Sequence, residues 1–223
     1  MVIILYKNKK SYIFILTVLI IFSITSIVLA EQLEVNFIDV GQGDSILIKL
    51  PNEEVMLIDA GNNEDGDMIV KYLKKDEIKR IDYLIGTHPH EDHIGGLDNV
   101  INSFKINNIY MPKVTHTSKT FEDVLLAIKN KNMKIHSAKS GMNIINTDSI
   151  KATILSPRIN DYNKLNNWSI VLKLKYKNVS FIFMGDAEDI IENELKELDD
   201  KVKNANQKLD EVLKQKETSL LSM

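Results

Sequence analysis

The sequence predicts a layered α/β protein whose sheets carry helices on their outer faces. Three observations lead there. Alternating apolar and polar residues recur in two batches, over residues 33–61 and 148–186. Segments of helical spacing follow each batch. Between the batches, a histidine-rich run stands where a strand meets a helix.

The elements follow in order. Leu33–Val40 (LEVNFIDV) alternates as a strand, and Gly41-Gln42-Gly43-Asp44 makes a tight turn. Residues 45–50 (SILIKL) alternate again, Pro51-Asn52 punctuates, and 54–61 (EVMLIDAG) forms a third strand. A short helix is expected over Met68–Lys75. Residues 81–87 (IDYLIGT) form a more continuously apolar strand, and Gly95–Phe104 a helix. Asn107–Pro112 reads as a strand. Phe121–Asn132 has helical spacing through Val124, Leu125 and Ile128, and Lys134-Ile135-His136 begins another strand. Residues 148–157, 168–176 and 179–186 complete the second batch. From Ala187 onward Ile191, Leu195, Leu198, Val202, Ala205, Leu209 and Val212 keep alternating four- and three-residue spacing. That is the stripe of a long helix, which either lies on the domain or pairs with a second helix in self-association.

Composition narrows the class. In 223 residues, 44% are apolar and 26% charged, as in globular proteins. With no cysteine, disulfides and thiolate metal sites are excluded. Residues 1–30 hold Lys7, Lys9 and Lys10 and no acid, so the remainder sets 25 basic against 31 acidic residues, a balance of −6. Such a chain has no global electrostatic footprint for nucleic acid. The uncharged stretch 11–30 (SYIFILTVLIIFSITSIVLA) has two readings. It is a signal peptide with a basic n-region and small residues before a cut, or an uncleaved membrane anchor, since Tyr12–Leu29 at ~1.5 Å per residue spans a bilayer. Both make the domain extracellular or membrane-anchored facing outside. The domain organisation expected is therefore 1–30 as signal or anchor, 31–195 as the folded domain and 196–223 as a helical tail.

The chemistry concentrates at Thr87-His88-Pro89-His90-Glu91-Asp92-His93-Ile94-Gly95-Gly96. Three of the five histidines lie there, in a loop between a buried strand and a helix. His88 and His90, two apart in extended backbone, project to one side. Imidazoles and a carboxylate gathered so closely are costly without a cation, and suit zinc, with manganese or iron as alternatives. His116 and His136 read as surface residues, and Trp168 as a packed aromatic.

The run resembles the HxHxDH signature of the metallo-β-lactamase fold. FIDVGQGDSILIKLP, MLIDAG, IDYLIGTHPHEDHIGGL, IYMP, Asn166-Asn167-Trp168-Ser169 and FIFMGDAE together resemble the extracellular hydrolase domain of ComEC-type competence proteins. The resemblance covers residues 33–195 and implies an αββα sandwich. It implies His88 and His90 as ligands of a first metal, Asp92 and His93 as ligands of a second, and Asp186 as a bridging or single-metal carboxylate. Asp92 would also hold or deprotonate the attacking water, making it the catalytic residue. Asp59 would orient a ligand, with Asn167 and Asp44 at the site edge. Considered alone, Asp44 is a turn residue and Asp186 a helix cap.

The reaction implied is hydrolysis of a phosphate-containing substrate, a phosphodiester such as DNA, using one or two metal ions. The chain also departs from the pattern. ComEC-like domains continue into His-His-Gly-Ser, whereas this chain has no histidine after His136. The second half of the sandwich is thus expected to be incomplete. A truncated or frameshifted gene product, completion by a partner chain, and an inactive extracellular binding or assembly protein that keeps the fold are the three explanations.

Overall fold

Alternation along the early strands sorts their apolar side chains onto two faces, and that sorting builds the architecture. In the computed structural model, residues 32–159 and 161–221 are described. The expected signal peptide or anchor, with its N-terminal hydrophobic helix, lies outside them. Among the described residues no helix is long and apolar enough to cross a membrane.

Six strands form the first sheet in sequence order: β1 (Glu34–Phe37), β2 (Ile46–Lys49), β3 (Val55–Ile58), β4 (Arg80–Ile85), β5 (Lys105–Pro112) and β6 (Ile135–Ala138). The first three pair antiparallel, and β3 to β6 run parallel. Parallel neighbours need crossovers, and helices supply them. These are α1 (Gly66–Lys75), the short α2 (Glu91–Ile94) with α3 (Leu97–Ser103), and α4 (Lys119–Asn130). The helix expected over Gly95–Phe104 is α3, and the Gly95-Gly96 pair separates it from the short α2 before it.

The second sheet holds β7 (Asn143–Asn146), β8 (Ile150–Ser156), β9 (Val171–Tyr176) and β10 (Val179–Phe183), all antiparallel, in the order β10-β9-β8-β7. Strand β7 escapes the sequence reading because its two apolar residues, flanked by asparagines, are too few to show a period.

Leu47, Leu57, Ile81 and Leu84 face the helices and pack with Ile69, Leu73, Val100 and Val124. The alternate residues Ile46, Ile48, Met56 and Ile58 face the second sheet and meet Ala152, Ile154, Leu172 and Leu174. The result is helices on sheet on sheet, with two apolar layers.

Among the described residues, the outer face of the second sheet is covered at one end. There Tyr162, Trp168 and Val171 pack with Ile191 of α5 (Asp189–Leu221), a helix of 33 residues. Further along, Val202 and Leu209 are about half exposed, so the helix lies on the domain only through its first turns. This corrects the expectation that its whole apolar stripe rests on the domain. Among the described residues β10 is an edge strand, with Val179 and Ile182 exposed.

Two substitutions check this layering by urea denaturation. Leu57→Ala empties a site in the helix-facing layer and is expected to cost ~2–5 kcal/mol. Val202→Ser, on the projecting helix, is expected to stay within ~0.5 kcal/mol. A larger, concentration-dependent loss for Val202→Ser would show that the helix is packed against a second copy.

Candidate metal centre

The site forms where strands end. Asp59 follows β3, Thr87 and His88 follow β4, Gly185 and Asp186 follow β10, and Asn167 to Ser169 precede β9. Carboxyl ends of parallel strands are where α/β proteins place ligands. A backbone bond from Ile170 N to the Thr87 carbonyl, 3.0 Å, ties the two sheets together at this edge.

Asp59 is the anchor. It is fully buried and holds a left-handed backbone with φ of 57°, a conformation that non-glycine residues adopt sparingly. Its carboxylate accepts from Thr87 N at 2.7 Å, from the Thr87 hydroxyl at 2.6 Å, and from His93 Nδ1 at 2.9 Å. Burial pushes the Asp59 carboxyl above its usual range, and the His93 and Thr87 donors pull it back. Burial also lowers His93, but Asp59, followed by Asp186 and Asp92, outweighs it and lifts the imidazole to about 9. With three donors on the carboxylate, the shared proton belongs on His93 Nδ1. His93 Nε2 is thereby aimed into the site, 3.2 Å from Asp186 Oδ1 and 4.0 Å from Asp92 Oδ2.

His88 is buried, and burial, together with the neighbouring His93 and His90, holds its pKa far below the ordinary imidazole value. It is a neutral ring, the form that ligates metals. Its Nδ1 lies 3.1 Å from the Thr87 hydroxyl and 3.4 Å from that of Ser169. Its Nε2 faces His90 Nδ1 at 3.0 Å.

The ligand atoms of His88, His90 and Asp186 all lie within 4.8 Å of one another. Two imidazole nitrogens and a carboxylate converging on one point are a donor set that fits a divalent ion. Asp44, Asp59 and His93 form a second such grouping. Asp59 is already occupied by three donors there, so it acts by holding His93 rather than as a ligand.

Asp92, half of the expected second-metal pair, belongs to neither grouping among the described residues. Its Oδ2 instead meets Gln42 Nε2 at 3.4 Å. Asn167 pairs with the residue two beyond Asp186. It accepts from Glu188 N at 3.3 Å and lies 3.4 Å from the Glu188 carboxylate, so it braces the loop that carries Asp186.

The Gly41-Gln42-Gly43-Asp44 turn packs directly on the site loop. A Cβ on Gly43 would sit 1.8 Å from the Asp92 carbonyl oxygen, and its φ is +97°. Only glycine permits this approach. Beside it lies an open cleft of about 680 Å³ lined by Val40, Gln42, Asn62, Glu64, Glu91 and Asp92.

Sequence reasoning passed over Thr87, Ser169 and Glu188, although each stands within a motif it singled out. It also placed His116 on the surface. The structure corrects that: His116 is half-buried, with its ring centroid 6.4 Å from that of His90, because the loop after β5 folds back toward the histidine run. His136 is exposed, stacked on Tyr110.

Residues 38–218 match the family model described as the metallo-beta-lactamase superfamily. The chain belongs to that superfamily. It is similar to ComE operon protein 3 of Bacillus subtilis (strain 168), 29% identical over 184 residues. That match takes in 75% of this chain and 24% of the relative, so the chain spans about a quarter of the curated relative's length.

Among solved structures it is similar to a metallo-beta-lactamase of Cronobacter sakazakii, with 12% identity, TM-score 0.47 and coverage of 67% of this chain and 58% of that one. It is also similar to CmlA, a diiron beta-hydroxylase of Streptomyces venezuelae, with 17% identity, TM-score 0.46 and coverage of 71% and 30%. The superfamily's fold is that of metal-dependent hydrolases and implies a divalent metal, for which this chain supplies the grouped residues.

Breaking the anchor tests its role. Asp59→Ala leaves His93 buried without its partner and is expected to destabilise the fold by ~3–5 kcal/mol. The milder Asp59→Asn is expected to lower metal affinity ~10–100-fold. Thermal melts and metal titration measure the two effects.

Proposed function

We propose that the chain is a metal-dependent hydrolase of the ComEC-like branch that cleaves a phosphodiester, with zinc held by His88, His90 and Asp186. The observation that carries this reading is the convergence of those three residues' ligand atoms within 4.8 Å. A divalent ion there supplies a Lewis acid and lowers the pKa of a water it holds.

The chain's own groups supply the rest. Asp59 fixes His93 so that Nε2 faces Asp186. We assign to the Asp92 carboxylate, 3.4 Å from Gln42 Nε2, the task of taking the proton of the attacking water. His93, with Asp92 or Asp44, offers the start of a second ion site, and two ions would stabilise both attacking and leaving oxygens.

The substrate reading rests on the similarity to the competence-operon protein and on the chemistry of such a centre. The cleft beside the site is acidic, with Glu64, Glu91 and Asp92 on its wall. A polyanion such as DNA would depend on the ion for charge compensation. The lysine-flanked apolar stretch at 11–30 supports a location outside the cell, secreted or anchored.

An inactive binding or assembly protein that keeps the fold is the alternative. It draws on the exposed apolar residues of α5, Val202 and Leu209. Metal analysis with a phosphodiester assay separates the two.

Stoichiometric zinc and turnover of bis(p-nitrophenyl) phosphate, lost on chelation and regained on adding zinc, are expected for the hydrolase. His90→Ala is expected to abolish both tight zinc binding and turnover. Unchanged activity of that variant in zinc-replete buffer would refute the assignment of the centre.

A further inference from the structure

His116 stands apart from both ligand groupings yet faces the same space. Its nitrogens are not among the sets of atoms lying within 4.8 Å of one another. Its ring meets that of His90 edge to face, with centroids 6.4 Å apart and planes at 86°. That separation is within the range of an edge-to-face ring contact, and both residues are partly exposed, so His116 stands beside His90 at the solvent-facing edge of the centre.

The orientation of His116 is built in by its surroundings. Ser118 caps α4: its hydroxyl oxygen accepts from Phe121 N at 3.2 Å. That oxygen also lies 2.9 Å from His116 Nδ1. Since the oxygen is already accepting from the helix, its own O–H is free to donate to His116. A neutral imidazole that accepts at Nδ1 carries its proton on Nε2. The loop is pinned a second time, where buried Thr120 accepts from Asn63 Nδ2 at 3.1 Å. A helix cap and an inter-loop hydrogen bond thus hold the ring through Nδ1, and with Ser118 donating there the N–H left for a ligand is at Nε2. Such preorganisation is what substrate-contacting groups require.

We propose that His116 contacts the substrate, donating a hydrogen bond from Nε2 to a phosphoryl oxygen bound at the His88–His90–Asp186 centre. The inference rests on the metal-hydrolase reading of that centre. It adds a recognition element contributed by the loop between β5 and α4, which the HxHxDH run does not contain. The chemistry recognised is a tetrahedral oxyanion, supplied by a phosphodiester or by the phosphate product.

The test uses the full chain loaded with zinc and inorganic phosphate as the probe. His116→Ala is expected to keep the zinc content of the unsubstituted protein and to bind phosphate ~10-fold more weakly in calorimetry, the effect of one lost hydrogen bond to a charged acceptor. His116→Gln, which restores an N–H donor, is expected to recover part of that loss. In the unsubstituted protein labelled with ¹⁵N-histidine, His116 is expected to show the Nε2–H tautomer, with Nε2 shifting as phosphate is added. Equal phosphate affinity with and without His116, no phosphate-dependent shift at its Nε2, or loss of zinc in His116→Ala would each overturn the proposal. Failure of the zinc-loaded unsubstituted protein to bind phosphate would overturn it together with the hydrolase reading. Normal phosphate binding that is indifferent to His116 would sink this inference alone.

Discussion

The buried carboxylate of Asp59 is the constraint on which the site depends. A fully desolvated carboxylate is tolerable only when its lone pairs are satisfied, and three donors meet it here. Two come from Thr87 at the end of β4 and one from His93 in α2. That single group therefore connects the end of β3, the end of β4 and the helix that carries the third histidine of the run. It also sets the proton on His93 Nδ1, which leaves Nε2 as the nitrogen turned toward Asp186. The left-handed backbone at Asp59 is the local cost of aiming its side chain inward.

Around this anchor, close backbone approach replaces side-chain bulk. Gly43 lets the turn after β1 press against the Asp92 carbonyl. Gly95 and Gly96 lie where a Cβ would come within 2.2 Å of Asn62 and 2.4 Å of the Ala60 carbonyl oxygen, respectively. The histidine loop is thus clamped between the segments that follow β1 and β3, and backbone bonds from Gly95 to Gly61 and from Ala60 to His93 secure it. Rigid positioning of ligands before an ion arrives lowers the entropic cost of binding it. The second sheet contributes from the other side, with Asp186 after β10 and the Asn167–Glu188 contact bracing its loop.

The two faces of the molecule differ in how thoroughly they are covered. Helices α1, α3 and α4 cover one face of the first sheet, and their apolar residues read clearly at helical spacing. Among the described residues, Tyr162, Trp168 and the first turns of α5 meet the second sheet's outer face, and Val179 and Ile182 lie exposed on an edge strand. An edge of that kind can pair with another chain. The same helix then carries half-exposed Val202 and Leu209 away from the packed region.

Local pattern determined a great deal. Short apolar runs at residues 45–50 and 54–61, separated by Pro51-Asn52, marked two strands. The spacing of His88, His90 and His93, and their place after an apolar strand, marked a metal-type loop. Resemblance in ordered motifs tied Asp186, about a hundred residues away, to that loop. Only the tertiary structure decided how these groups divide the work. Whether Asp59 binds an ion or holds a histidine depends on which donors surround it, and those come from β4 and α2. Whether Asn167 faces the centre depends on Glu188, and whether Asp92 does depends on Gln42. His116 lies 23 residues beyond His93 in sequence and was indistinguishable there from a surface histidine; the return of the β5–α4 loop brought it beside His90. Contacts between segments remote in sequence leave no periodic trace along the chain, so pattern revealed which residues could form a site and packing alone settled which of them face one another.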